Sequence, residues 1–223
     1  MPALPPDLSF DDWVLHVFDH PATGPEWHWE PDAPYWPGPP AAIVAHLTRL
    51  FENPLPPLEG FTDAELNKGF WYIASNGLSD YMFALSDASV PLDARLRCLR
   101  ALSVVYRDLF APRCSPHLSH LDEPGVRDLN AVCYMWWDIA PIGGPPADPD
   151  HDQLNRAALD VMTDAIALDA IACQESALHG LGHWHGTYPG EVETIVDRFV
   201  ASHAAARPEL LAYARSARTG CVL

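Results

Sequence analysis

The sequence predicts an all-α protein that forms a single compact multi-helix domain. Apolar residues recur at three- and four-residue spacing along most of the chain. Helix-capping residues and prolines stand at the expected boundaries, and no stretch shows the alternation of apolar and polar residues that is typical of a strand. The chain has 223 residues, of which 48% are hydrophobic, so it can bury one core and is short for two. We therefore expect an irregular helical array.

The first 40 residues differ from the rest. They hold ten of the 23 prolines and four of the eight tryptophans. Ser9 is a good N-cap for a short helix from Phe10 to Phe18. Beyond it, proline fixes φ and removes backbone donors, whereas large aromatic side chains are costly to leave in water. We expect residues 1–40 to be an acidic, Pro/Trp-rich strap packed on a helical domain of residues 41–223. A Pro/aromatic segment that binds another protein is the alternative.

Capping residues, prolines and glycines mark the remaining helices. Thr62 and Glu65 form a capping box, and Pro91 stands at the first position of a long helix. The helix over residues 129–139 is apolar on nearly all sides, so we expect it to be the most buried. Segments 111–127 and 141–150 are rich in loop-forming residues. The predicted helices cover residues 41–52, 62–75, 79–85, 91–110, 129–139, 154–168, 169–184, 191–203 and 209–218.

The last third of the chain consists of helices of about 15 residues joined by tight turns. Its segment from Glu175 to Gly182 has the order Glu-Ser-Ala-Leu-His-Gly-Leu-Gly. Over residues 152–219 the chain resembles HEAT-type repeats, whose second helix often contains an Ala-Leu-x-x-Leu-Gly run. The resemblance implies stacked helix pairs and, for most members of that class, a role as an interaction scaffold.

Charge and composition exclude several functions. The net charge is −17, with 13 Lys and Arg against 30 Asp and Glu, so the chain repels phosphate backbones and is not expected to bind nucleic acid. The same charge would attract a basic protein partner. No apolar run is long enough to span a membrane, and no signal peptide is expected. Five cysteines at irregular spacing do not form a disulfide framework, which favours a reducing, cytoplasmic location.

The first candidate site lies on the helix over 169–184. Glu175, His179 and His183 follow one another at intervals of four residues, along one flank of the helix. Two histidines at i and i+4 have the spacing by which helices bind zinc. Glu175, one turn earlier, is either a third ligand or a group that orients His179. Histidines packed in a crowded helix interface are the alternative interpretation.

A second candidate site lies where the predicted loop meets the following helix. Cys114, His117 and His120 have the spacing Cys-x-x-His-x-x-His, and Cys133 follows on the next helix. A zinc ion bound by these residues would keep a long loop ordered. The alternative is that the cysteines are buried and unreactive. Next to Cys133, the run from Tyr134 to Asp138 could line an aromatic pocket, although such runs usually belong to the core.

Two hypotheses of function follow. The first is a non-enzymatic acidic helical scaffold that binds a macromolecular partner and neutralises a basic protein. The second is a metal-dependent enzyme or metal-binding protein that uses zinc or iron at Glu175, His179 and His183, with or without the Cys114, His117 and His120 set. The second predicts that these side chains converge beside a cleft.

Overall fold

Helices account for the regular secondary structure of residues 3–145 and 148–222, which are the residues that the computed structural model describes. Within these ranges there is no strand, and an isolated bridge joins Ala3 to Tyr35. The predicted all-α, single-domain fold is therefore confirmed. The α-helices are α1 (Phe10–Phe18), α2 (Pro40–Glu52), α3 (Leu55–Leu58), α4 (Asp63–Ala74), α5 (Leu92–Val104), α6 (Ala111–Arg113), α7 (Leu129–Ile139), α8 (Pro149–Ile166), α9 (Ile171–Trp184), α10 (Pro189–Ser202) and α11 (Pro208–Ala217).

Local capping explains where several helices begin. Ser9 accepts a hydrogen bond from the backbone N–H of Asp12 and so caps α1, as predicted. The Thr62–Glu65 capping box is complete at the start of α4. Asp148 accepts from the backbone of two residues in the first turn of α8, so this helix begins earlier than residue 154, the predicted start. Part of the predicted 141–150 loop, residues 146 and 147, lies outside the described residues.

The N-terminal segment contributes both buried and exposed aromatic side chains. Trp13 of α1 and Trp36 are buried. The ring of Trp36 stacks on His46 of α2, and a ring nitrogen of His46 lies 3.0 Å from the carbonyl oxygen of Leu8. Trp29 is 76% exposed, contrary to our expectation that the segment would bury its large rings. It belongs to a single turn of 3₁₀-helix, Trp27–Trp29, in which no residue is buried, and its ring contacts the neighbouring His28 (6.1 Å between ring centroids).

The long helix predicted over residues 91–110 changes its winding near its end. Residues Leu92–Val104 are α-helical, Val105–Phe110 form a π-helical turn, and α6 follows directly. Within the π turn, the buried Tyr106 forms a 2.8 Å hydrogen bond between its hydroxyl and that of Ser176 on α9. Turns of this type are rare and mark positions where the backbone departs from α-helical spacing. Here the departure coincides with the contact between this helix and α9.

The central element of the domain is α9. Every residue from Ala172 to Gly182 is buried, because α7, α8, α10, α11 and the π turn all pack against this helix. A Cβ atom on Gly180 would lie 2.6 Å from Trp137 on α7, so glycine permits this close approach. The prediction that residues 129–139 would be the most buried was wrong, because α7 leaves Ala131 and Asp138 exposed.

Helix packing is also observed within the segment that resembles HEAT-type repeats. In the last third, α8 packs on α9 and α10 packs on α11. The resemblance itself stays a prediction. None of the helices that the structure describes is both long enough and apolar enough to cross a membrane.

Candidate metal centre

Glu175 lies at the centre of the domain and anchors a loop. Its side chain is fully buried. One carboxylate oxygen accepts a hydrogen bond from the backbone N–H of Ser119 (2.9 Å). The other accepts from the backbone N–H of His120 (3.0 Å) and lies 2.6 Å from His120 Nδ1. These contacts offset the cost of burying a carboxylate. They also tie the loop before α7 to α9 and engage both oxygens of Glu175.

His179 and His183 do converge, and the residue that joins them is Asp138 of α7. The two Nε2 atoms are 3.2 Å apart, as expected for side chains one helical turn apart on the same face. Asp138 Oδ1 lies 3.6 Å from His183 Nε2. One ligand atom from each of the three residues lies within 4.8 Å of the other two. Two imidazoles and one carboxylate thus meet where α7 and α9 are in contact.

The spacing of these atoms fits a metal ion. Zn–N bonds are about 2.0–2.1 Å long, so two ligand atoms of a tetrahedral site lie about 3.3–3.4 Å apart. Two of the three observed separations, 3.2 and 3.6 Å, fall on either side of this value, and the third, between Asp138 and His179, is within 4.8 Å. Two histidines and a carboxylate also form the ligand set of non-haem Fe(II) sites. The donor set therefore suits zinc or iron and lacks the many oxygen ligands that calcium requires.

Groups around the cluster hold His179 in the form that binds metal. Its Nδ1 lies 2.7 Å from the hydroxyl of Tyr213 on α11, and that hydroxyl lies 3.1 Å from the hydroxyl of Tyr134. A metal-binding histidine usually bonds an outer group through its second nitrogen, which fixes the ring and leaves the first nitrogen available. Burial, with the nearby His183, lowers the pKa of His179 to about 4, so the imidazole is neutral at pH 7.

One side of the cluster faces a cleft of about 320 Å³. The side chains of Asp138 and His183 line it and are 39% and 37% exposed, whereas His179 is buried. The cleft is also lined by Asn155, whose Oδ1 is buried and has no hydrogen-bond partner among the described residues. Solvent or a small molecule can therefore reach two of the three candidate ligands.

The residues of the second predicted site do not gather around one point. His120 is engaged by Glu175. The ring of His117 lies beside Gly125, with its Nε2 3.6 Å from the position that a Cβ atom on Gly125 would take. Cys133 is buried near Cys114, its thiol contacts the carbonyl of Ala172 at 3.7 Å, and burial raises its thiol pKa well above the usual value. Among the described residues, the cluster of Asp138, His179 and His183 is the group whose ligand atoms approach one another.

Three residues of the centre were not among the predicted ligands. Asp138 lies 41 positions before His179. Tyr134 is on α7 together with Asp138, and Tyr213 is on α11. The sequence placed Tyr134 and Asp138 in an aromatic run without relating either to the histidines. The only available signal was the four-residue interval between them, which puts both on one face of α7.

Comparison of the chain with models of known protein families, with curated proteins and with solved structures found no match.

Proposed function

We propose that this protein binds one zinc or ferrous ion through Asp138, His179 and His183. The observation that carries the proposal is the convergence of three ligand atoms, from two helices, within 4.8 Å. The ligands differ from the set predicted from sequence, because Asp138 takes the place that Glu175 was expected to fill. Glu175 instead engages the loop at Ser119 and His120.

The layout favours a catalytic site over a purely structural one. Structural zinc sites usually have four protein ligands, whereas catalytic sites have three and leave a position for solvent or substrate. Here three protein groups converge and two of them line an open cleft. A metal at this position would act as a Lewis acid at the mouth of the cleft. We therefore propose a metal-dependent enzyme, with hydrolysis as the first reaction class to assay.

Metal content tests the proposal directly. The protein is purified without an affinity tag or a chelator, and its metals are measured by elemental mass spectrometry. We expect about one zinc or iron per chain. Asp138→Asn and His183→Gln should each lose it, because each removes one of three ligands. His185→Gln is the matched control, since His185 is a half-buried histidine at the C-terminal end of α9 that pairs with Glu193 instead.

Two results would overturn the proposal. One is the absence of stoichiometric metal together with no zinc binding in a calorimetric titration of the purified chain. The other is a folded Asp138→Asn variant that retains the metal of the parent chain. Folding of each variant is checked by circular dichroism, so that loss of metal is separated from loss of structure.

The acidic scaffold hypothesis stays a second proposal, supported by the net charge of −17. Its partner would be a basic protein, which the chain would neutralise through its negative surface. Capture experiments at low and moderate salt check it, with an unrelated acidic protein of similar net charge as the control. A purified basic protein that binds this chain and not the control would support the scaffold, whereas equal binding to both would contradict it.

A further inference from the structure

A second cavity, unrelated to the metal centre, lies between the N-terminal segment and the end of α4. Its volume is about 410 Å³, which lies within the usual range of small-molecule sites. Five of its twelve lining residues carry aromatic rings, and the others are proline, glycine and small polar or aliphatic residues. The lining residues that matter here are His28, Tyr35, Trp36, Tyr72, Asp80 and Tyr81.

The aromatic rings of this cavity are set at steep angles to one another. The rings of Tyr72 and Tyr81 are 5.6 Å apart with planes at 85°. Those of Trp36 and Tyr81 are 6.1 Å apart at 69°. These rings are in edge-to-face contact and form a corner of the wall, so a guest that lies against this corner meets more than one aromatic side chain. Aromatic side chains grouped around a ligand hold quaternary ammonium groups in other proteins.

Polar atoms in the wall lack partners. The side chain of Tyr81 is only 2% exposed, and its hydroxyl lies near Trp13 and Tyr72 without a well-formed hydrogen bond among the described residues. Both ring nitrogens of His28 are buried and are likewise without a partner there. Buried polar groups are hydrogen-bonded in the great majority of cases. A ligand that carries a polar group into this cavity would supply the partner that these atoms lack.

The charge of the cavity wall favours a positively charged ligand. Among the described residues that line the cavity, Asp80 is the one carboxylate and none is Lys or Arg. The nearby Lys68 is paired with Glu26. The whole chain carries a net charge of −17, so its field also favours cations.

We propose that this cavity binds a small organic cation, with a methylated ammonium group held against Tyr72 and Tyr81 and balanced by Asp80. The polar end of the ligand hydrogen-bonds with the Tyr81 hydroxyl and His28. The proposal is independent of the metal centre, so failure of either leaves the other standing.

Choline is the probe that tests this site, and 3,3-dimethylbutan-1-ol is its neutral control of nearly the same shape. Binding is measured by isothermal titration calorimetry on the full chain, with tryptophan fluorescence as a second signal because Trp36 lines the cavity. We expect saturable binding of choline and at least roughly fivefold weaker binding of the neutral analogue, since a cation–π contact favours only the charged ligand.

The Asp80→Asn variant provides a second test of the proposal. Asp80 is exposed, so the change should not disturb folding. It is expected to weaken choline binding about three- to tenfold, as for a partly solvated ion pair. Asp93→Asn is the matched control, because Asp93 is an exposed aspartate on α5 that does not line the cavity. Absence of saturable choline binding, equal binding of the neutral analogue, or unchanged affinity in Asp80→Asn would each overturn the proposal.

Discussion

His16 shows how burial of a single side chain couples stability to pH. It lies on α1, with its ring against Trp27 and Tyr72, and its Nε2 has no hydrogen-bond partner among the described residues. Burial, and then the nearby positive charge of His20, lower its pKa to about 4. The unfolded chain has a histidine pKa of about 6.5, so it takes up the proton first as the pH falls. Stability from His16 is therefore present above pH 6.5 and lost towards pH 4.

We expect His16→Phe to reduce the loss of stability at acidic pH, because it removes the titrating group and keeps an aromatic ring. Urea unfolding at pH 7.5, 6.0 and 5.0 measures the effect. The free energy of unfolding should fall less for the variant than for the parent chain. His203→Gln, at the C-terminal end of α10, is the control and should show the parent's loss. An identical loss in His16→Phe would contradict the argument.

At the residue scale, the sequence located the histidines of the metal centre and missed their carboxylate. The pair His179 and His183 is visible because one helix fixes their separation. Asp138 is brought to them only by the packing of α7 on α9, and no spacing in the sequence encodes that contact. Glu175 shows the reverse: it has the right interval, but the loop at Ser119 and His120 engages its oxygens.

At the scale of elements, the contact between α1 and α4 requires a glycine, which has no side chain, at position 69. A Cβ atom on Gly69 of α4 would lie 2.1 Å from the ring of Phe18 on α1, and both residues are buried. We expect Gly69→Ala to lower the free energy of unfolding by about 1–3 kcal/mol, the usual cost of overpacking. Gly190→Ala is the matched control, because its Cβ would meet no atom within 4 Å.

Gly190 lies in the first turn of α10, so alanine there should be neutral or stabilising by up to about 1 kcal/mol. Urea unfolding of the two variants beside the parent chain checks both values. Equal effects at the two positions would show that the α1–α4 contact is looser than the structure indicates.

The elements themselves were largely predictable because their signals are local. The bounds of α1 and α7 agree with those expected from the sequence, since caps and apolar spacing are properties of neighbouring residues. The π turn at Val105–Phe110 was not foreseen. Its sequence is compatible with continued α-helix, and its contact with Ser176 on α9 is made only in the folded domain.

At the scale of the whole molecule, the surplus of negative charge should make stability rise with salt. Acidic residues outnumber Lys and Arg by 30 to 13, so ion pairs cannot compensate them all. Repulsion among the unpaired carboxylates opposes folding. Salt weakens this repulsion, because the Debye screening length is about 8–10 Å at moderate ionic strength. We expect the melting temperature at pH 7.5 to be higher in 300 mM NaCl than in 20 mM NaCl.

The same comparison at pH 5 is the control for this salt effect. The sequence pI is about 4.8, so the net repulsion is nearly absent there and the effect of NaCl should shrink. A melting temperature that falls with NaCl at pH 7.5 would show instead that the surface ion pairs outweigh the repulsion.

Because α9 is packed between helices that precede and follow it in the chain, its contacts form in a fixed order during synthesis. A Cβ on Gly182 would lie 2.5 Å from Val222, so the covering of α9 extends to the residues that follow α11. Contacts between distant segments form late, after the chain between them has been made. On the ribosome, α9 emerges after α7, α8 and the loop at Ser119 and His120, so Glu175 can meet its partners as soon as α9 has left the exit tunnel. The faces of α9 that α10, α11 and Val222 cover stay in contact with water until those segments have also emerged.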